Sequence, residues 1–353
     1  MRRGLLHWDP QELPLAVLEA RIARLRAAMA GAGFDALILY TNLVRPSAVT
    51  WLPGFTPYWS ESLLLVPRDG RPSFATAMTN RVADWIRSTN PVSEVTSTPK
   101  PGALLGELLG KDATVKRVGV LELDSLPSEL SDHLATAAPT IEWVDAGSVF
   151  AARRCQIDET ETKLIARADA LASAALAQSD IDTAADAGTL AGLIERHARL
   201  AGAEEAYIAV APDLAVDRKF VRVSKPLRLG DRFAARASIA YKGSWVRRIR
   251  TFASDETSAK AEAWFANFVL TLKPGTPIGA QLAIAVKSLP EAKISNWMVE
   301  SCIGSYPLQV IASSRAGDQA FAENQFVVLT VELSLGGAPW IGAAPQIVGS
   351  PEV

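Results

Sequence analysis

The chain has 353 residues, of which 49% are hydrophobic and 21% charged, and its formal net charge is −2. This length favours two domains, and the composition is typical of globular proteins with large apolar cores. The balanced charge indicates no binding to nucleic acid or to a membrane surface. No stretch approaches the roughly 18 uncharged apolar residues of a membrane span. With only two cysteines, Cys155 and Cys302, and no apolar run of a secretory signal, we expect a cytoplasmic protein in a reducing compartment.

The first part of the chain alternates helical and strand-like segments. Apolar residues at helical spacing predict a helix over residues 16–33, and short apolar runs predict strands over 36–40, 62–67 and 117–121. This alternation indicates an α/β domain, to which we assign residues 1–147.

The remainder, residues 148–353, places helices before strands. The predicted helices cover 158–178, 184–201 and 258–272, and the predicted strands cover 207–210, 232–240, 245–252 and 326–333. Asp158 is suited to cap the first of these helices. The pattern predicts a separate α+β domain.

Several short segments, taken in chain order, carry a family resemblance. They are Trp51-Leu52-Pro53-Gly54-Phe55, the stretch from Arg153 to Ala168, Leu227-Arg228-Leu229-Gly230-Asp231, the stretch from Tyr241 to Phe252, and Leu329-Thr330-Val331-Glu332. This ordered set resembles the landmarks of the creatinase/prolidase/aminopeptidase P family. The resemblance implies a creatinase-like N-terminal domain, a pita-bread C-terminal domain of the peptidase M24 type, and a homodimer.

Enzymes of that family hold two divalent metal ions with two Asp, one His and two Glu, which suit such ions and activate a bridging water. The resemblance places these residues at the five positions: Arg236, Arg247, Ser301, Glu332, and either Ala343 or Ala344. One of five ligands therefore remains. We predict that the site holds no metal and no cofactor, and that the chain is not a metallopeptidase.

The histidines support this prediction without any alignment. The chain contains His7, His133 and His197, and only His197 falls in the second domain, on a predicted helix. The family's substrate-side His corresponds to Lys219, and metal-free creatinase, which resembles this fold, also uses a His. Neither of the family's usual mechanisms can therefore operate unchanged.

The replacements change the charge of the site. Arg236, Arg247 and Glu332 sum to about +1, and arginine stays charged at any workable pH. A buried cation needs a partner. The two arginines could pair with Glu332 and other carboxylates in an inactive site, or could clamp an anion together with Lys219. They could also point to solvent if the strand register differs.

We therefore predict Arg236, Arg247, Lys219 and Glu332 as ligand-binding residues and assign no catalytic residue. Lys219 is a candidate base if it is desolvated. Cys302 is a candidate nucleophile if nearby positive charge favours its thiolate, although a free Cys more often packs as a small hydrophobe.

Two functions remain open. The first is a metal-independent, non-peptidase protein that binds or acts on a small carboxylated, amino-acid-like metabolite, as a hydrolase or lyase if it is an enzyme. The second is a catalytically inactive paralogue with a structural or regulatory role. An open site with unpaired arginine donors favours the first, and fully paired donors favour the second.

Overall fold

The computed structural model of the chain describes residues 8–42, 50–52, 61–178, 184–222, 226–301, 309–315 and 320–350. They form two compact units, the first ending at Cys155 and the second beginning at Gln156. In the part of the chain that the structure describes, no helix combines the length and apolarity needed to cross a membrane.

In its described residues, the first unit is a mixed sheet with five α-helices longer than two residues. The helices are α1 (Leu15–Gly31), α2 (Asn80–Thr89), α3 (Pro101–Gly110), α4 (Ser128–Ala137) and α5 (Gly147–Arg154), and the strands are β1 (Ala36–Thr41), β2 (Ser62–Pro67), β3 (Ser73–Thr76), β4 (Glu94–Ser97), β5 (Arg117–Val120) and β6 (Glu142–Asp145). The sheet order is β4-β3-β2-β1-β5-β6, with β1 antiparallel to β2 and parallel to β5. The α/β class is confirmed, as are α1, β1, β2 and β5.

The helix α5 belongs to this unit although we assigned it to the second domain. It packs against α1, and the ring of Phe150 meets the ring of Trp51 edge to face at 5.7 Å. Cys155, directly after α5, is buried.

One carboxylate ties three strands of the first unit together. Asp35, just before β1, accepts hydrogen bonds from the backbone N–H groups of Lys116 and Arg117, both at 2.9 Å. The other carboxylate oxygen of Asp35 accepts a hydrogen bond from the Nη2 of Arg68, which follows β2, at 2.5 Å. The two backbone donors lower the pKa of Asp35, burial opposes them, and Arg68 lowers it further.

In its described residues, the second unit consists of an antiparallel sheet with four α-helices. The helices are α6 (Glu159–Leu176), α7 (Ala187–Leu200), α8 (Glu256–Leu270) and α9 (Ile278–Ala285), and the strands are β7 (Glu205–Ala211), β8 (Phe233–Tyr241), β9 (Ser244–Phe252), β10 (Ala292–Ser301), β11 (Gln309–Ala312), β12 (Phe326–Leu335) and β13 (Ala338–Ile347). The sheet order is β11-β10-β12-β13-β9-β8-β7. The predicted helices and strands of this half are confirmed, whereas α9, β10, β11 and β13 were missed.

Aspartates start three of these helices. The side chains of three aspartates accept hydrogen bonds from backbone N–H groups in the first turns of α6, α7 and α8; they are Asp158, Asp186 and Asp255, respectively. Such caps provide acceptors for the first N–H groups of a helix, which have no hydrogen-bond partner within the helix. Two apolar clusters then hold the helices on the sheet, one built on α6 and α7 with β7–β9 and the other on α8 and α9 with β10, β12 and β13.

We expect Asp35→Ala to lower the free energy of unfolding by about 1–3 kcal/mol, because it removes a charged acceptor from two backbone donors and an arginine. The folded pKa of Asp35 lies below its ordinary value of 3.8. Its contribution is therefore complete above that value and disappears as the pH falls through the lower, folded pKa. Urea unfolding of both proteins at pH 7 and in acid measures this.

Asp69→Ala is the matched control, since Asp69 is exposed in the turn after β2. A loss of stability in the Asp35 variant no larger than in this control would show that Asp35 does not connect the strands.

Candidate functional site

The register of four strands places Arg236 in one row across the sheet of the second unit. Arg236 on β8 pairs with Ile249 on β9, Ile249 with Ala343 on β13, and Ala343 with Thr330 on β12. Directly paired residues project from the same face. Arg236 and Thr330 therefore face the same side, with Ile249 and Ala343 between them. The sequence analysis considered Ala343 and Ala344 for the position of the family's last Glu. Of these two residues, Ala343 faces the same side as Arg236.

A buried ion pair crosses this face. Arg247 on β9 pairs with Ser238 on β8, two residues from Arg236, so all three side chains lie on one face. The Nε of Arg247 donates to the Ser238 Oγ at 3.0 Å, and its Nη1 forms an ion pair with Glu300 Oε1 on β10. Arg247 is 8% exposed and Glu300 only 3%. Since β13 and β12 lie between β9 and β10 in the sheet, the pair ties non-adjacent strands together.

Glu332 on β12 has other partners. Arg218 donates to its Oε2 at 3.0 Å, and the amide of Asn296 donates to its Oε1 at 3.1 Å. Both carboxylate oxygens are therefore engaged, and Glu332 does not pair with either arginine that the sequence analysis placed beside it.

Arg236 differs from these residues because its charge is not neutralised. Its guanidinium lies 5.2 Å from the ring centroid of Phe220. Among the residues that the structure describes, none accepts a hydrogen bond from it or forms an ion pair with it. Burial lowers the pKa of Arg236, Arg247 and Arg222 lower it further, and Glu300 raises it. The side chain is a partly buried cation whose surroundings oppose its charge.

The charges of these groups can be summed. The cations Arg218, Arg222, Arg236 and Arg247 and the carboxylates Glu300 and Glu332 belong to this group, so four positive and two negative charges leave +2. The excess charge belongs to Arg236 and to the exposed Arg222, because the other four residues form two pairs. An anion would be the natural complement of this site.

Two buried oxygens in the same region have no hydrogen-bond partner within the described ranges. They are the Oε2 of Glu300 and the Oγ1 of Thr330. Buried polar atoms are usually satisfied by protein or water. These atoms could accept hydrogen bonds from a bound water or from the N–H groups of a ligand.

Of the two candidate catalytic residues, Lys219 and Cys302, the structure describes only Lys219. Lys219 has an exposed side chain, and its backbone N–H donates to Asp217 at 2.8 Å. Its neighbours Arg218 and Phe220 contact the site, so Lys219 lies at the edge of the group. Cys302 falls outside the described residues, and both candidacies stay predictions.

Sequence reasoning missed Glu300, Arg218 and Ser238. Glu300 is the one charged residue that follows the run Trp297-Met298-Val299, and a lone charge in an apolar strand indicates a buried partner. It precedes Ser301, which we placed at the family's His position. Neighbouring strand residues project to opposite faces, so Glu300, and not Ser301, faces Arg247. No comparable signal in the sequence marks Arg218.

These residues do not fit a pair of divalent metal ions. Oxygen ligands and imidazoles bind such ions, whereas arginines occupy two of the five positions and Ala343 a third. The remaining carboxylate, Glu332, is held by Arg218 and Asn296. Across the described residues, no three His, Cys, Asp or Glu side chains form a group that could hold a metal ion.

Residues 21–156 match the creatinase/prolidase N-terminal domain. No curated protein sequence matches the chain.

Solved structures resemble the chain over almost its whole length. The prolidase from Pyrococcus horikoshii OT3 is 15% identical with a TM-score of 0.69, over 94% of this chain and 96% of that one. The X-Pro aminopeptidase from Thermotoga maritima MSB8 is 16% identical with a TM-score of 0.70, over 92% and 96%. The Xaa-Pro dipeptidase from Bacillus anthracis is 18% identical with a TM-score of 0.67, over 95% and 96%. At these identities the likeness establishes the fold, and the expected creatinase-like and pita-bread arrangement is confirmed.

We expect Arg247→Met and Glu300→Leu, made singly, each to lower the free energy of unfolding by about 3–5 kcal/mol, because each leaves a buried charge unpaired. The double variant should recover most of this loss, since it removes both charges together. Urea unfolding of the four proteins gives the coupling energy.

Lys163→Ala provides a control, because Lys163 pairs with Glu159 on the surface and such pairs contribute little. Additive losses in the double variant would contradict a direct Arg247–Glu300 interaction.

Proposed function

We propose that this chain, which carries the N-terminal domain of the creatinase/prolidase family and the fold of the prolidases, is a metal-independent, non-peptidase relative that binds a small carboxylated metabolite. Two of the similar structures are an X-Pro aminopeptidase and an Xaa-Pro dipeptidase. The donor set described above does not supply the ligands that metal-dependent chemistry would need.

The observation that carries the proposal is the un-neutralised cation at Arg236. Burial and two neighbouring arginines oppose its charge, and a bound carboxylate would offset all three effects. A guanidinium offers a planar pair of donors that matches a carboxylate in a bidentate manner. Arg247 is already committed to Glu300 and Ser238, so we assign the anion contact to Arg236 and a positioning role to Arg247.

The other side of the site supports an amino-acid-like ligand. Thr330 lies three strands from Arg236 in the same row, a separation of about 14 Å between backbones in a flat sheet. The arginine side chain spans about half of that. A small ligand whose carboxylate contacts Arg236 would place its opposite end near Thr330 and Glu300. The unsatisfied oxygens of these two residues could then accept hydrogen bonds from N–H groups at that end of the ligand.

A second candidate function is a catalytically inactive paralogue with a structural or regulatory role. The two closed ion pairs, Arg247–Glu300 and Arg218–Glu332, favour it, because paired charges stabilise a site without any ligand. If the chain is an enzyme, a metal-free hydrolase or lyase remains our hypothesis. Homodimerisation and a cytoplasmic location stay predictions.

We expect small carboxylates such as acetate and succinate to raise the melting temperature of the protein, since a ligand that binds only the folded state stabilises it. Arg236→Ala should abolish this rise because it removes the free guanidinium. Differential scanning fluorimetry across a carboxylate concentration series measures the effect, with chloride at matched ionic strength as reference.

Arg196→Ala is the matched control, because Arg196 is an exposed arginine on α7. It removes the same formal charge while leaving the site intact. If no carboxylate raises the melting temperature, or if both variants respond alike, the inactive paralogue becomes the preferred function.

We also expect purified protein to contain no stoichiometric divalent metal by elemental analysis, and its melting temperature to be unchanged by EDTA, because guanidinium groups do not bind metal cations. A metal bound in a one-to-one or two-to-one ratio and lost in Glu332→Gln would refute the metal-independent function.

A further inference from the structure

A cavity of 1030 Å³ lies in the second unit, on the other side of the sheet from Arg247. It opens between the ends of β8 and β9 and the helix α8, and Arg250 and Glu262 line it. Arg248 and Arg250 contact Asp169 and Leu176, respectively, on α6. Because strand residues alternate between faces, Arg250 projects away from the face that carries Arg247. The cavity is therefore separate from the candidate site.

Arg250 and Glu262 carry opposite charges on the wall of this cavity and do not form an ion pair with each other. Two further carboxylates line it, Asp255, which pairs with Arg232, and Asp231, which is exposed. Within the described part of the chain, the carboxylate of Glu262 has neither a hydrogen bond nor an ion pair. Burial raises the pKa of Glu262, while Arg250 and then Arg248 lower it. Arg250 is thus near enough to act on Glu262 through its charge, although its own contacts are the carbonyl of Leu176 at 2.7 Å and the ring of Phe252.

Arg248 cannot serve as the missing partner. Its guanidinium is held in a bidentate manner by Asp169, which already neutralises its charge. Glu262 and Arg250 are therefore left as an acceptor and a donor on the wall of one cavity. A ligand that carries a cation at one end and an anion at the other would complement both.

Part of the lining is apolar. The rings of Phe233 and Phe252 stack at a centroid distance of 5.1 Å, and Ala259 and Ala263 of α8 lie on the same wall. The polar part of the lining consists of Asp231, Thr251, Ser254, Asp255 and Ser258. Small alanine side chains leave room beside the aromatic pair. An apolar body would pack against this surface and lose contact with water.

We propose that this cavity binds a small zwitterion with an apolar body, whose ammonium group contacts Glu262 and whose carboxylate contacts Arg250. The site is distinct from that of Arg236, and it does not depend on what that site binds.

Three compounds of similar shape test the proposal: L-phenylalanine as the zwitterion, phenethylamine as the cation and 3-phenylpropionate as the anion. We expect isothermal titration calorimetry to show that L-phenylalanine binds roughly tenfold or more tightly than either of the others, because each of them leaves one charge of the cavity unmatched. The preference should persist in Arg236→Ala, which disables the first site.

Glu262→Gln should remove the preference, and Ala263→Leu, which fills the cavity without a change of charge, should weaken the binding of L-phenylalanine. Glu256→Gln is the control, because Glu256 is exposed on the same helix and pairs with Lys260. Equal binding of the three compounds would overturn the proposal. So would a preference that survives Glu262→Gln but is lost in Arg236→Ala, since this would locate the zwitterion at the first site.

Discussion

The buried pair of Arg247 and Glu300 determines the rest of the candidate site. A guanidinium taken out of water needs a countercharge, and Glu300 supplies it. Glu300 lies on β10, which is separated from β9, the strand of Arg247, by β13 and β12. This contact fixes the direction of the Arg247 side chain across the face. It also engages the carboxylate of Glu300, so Arg236 is left without an ion-pair partner among the described residues. The anion contact that we propose for Arg236 rests on this difference between the two arginines.

The fold does not depend on the chemistry that the similar peptidases perform. The architecture of the second unit comes from two apolar clusters between the helices and an antiparallel sheet, and from aspartates that start three helices. None of these features needs a metal ion. A site can therefore exchange carboxylates for arginines while the chain keeps its architecture.

The amino-acid sequence predicts the secondary-structure elements better than it predicts the contacts between side chains. Apolar spacing located α1, β1 and β2 to within about two residues, because each segment has a local periodicity. The strand β10 was missed because its apolar–polar alternation covers only Ala292–Ser295 and breaks at Asn296, where the pairing with β12 also shifts register. The pairing of Arg247 with Glu300 joins residues 53 apart in the chain, and it depends on strand order and register. The sequence identified Arg247 as a buried cation that needs a partner, but the partner became evident only from the strand order.

The pairing of Arg247 with Glu300 also limits which substitutions the two positions tolerate. A carboxylate at position 247 alone would face Glu300 without a cation, and two buried like charges would repel. A changed Glu300 alone would leave Arg247 unpaired. Each single substitution therefore gives an unstable protein, and only a joint change of both residues avoids this. The two positions are thus expected to change together, even though the surrounding fold tolerates substitution.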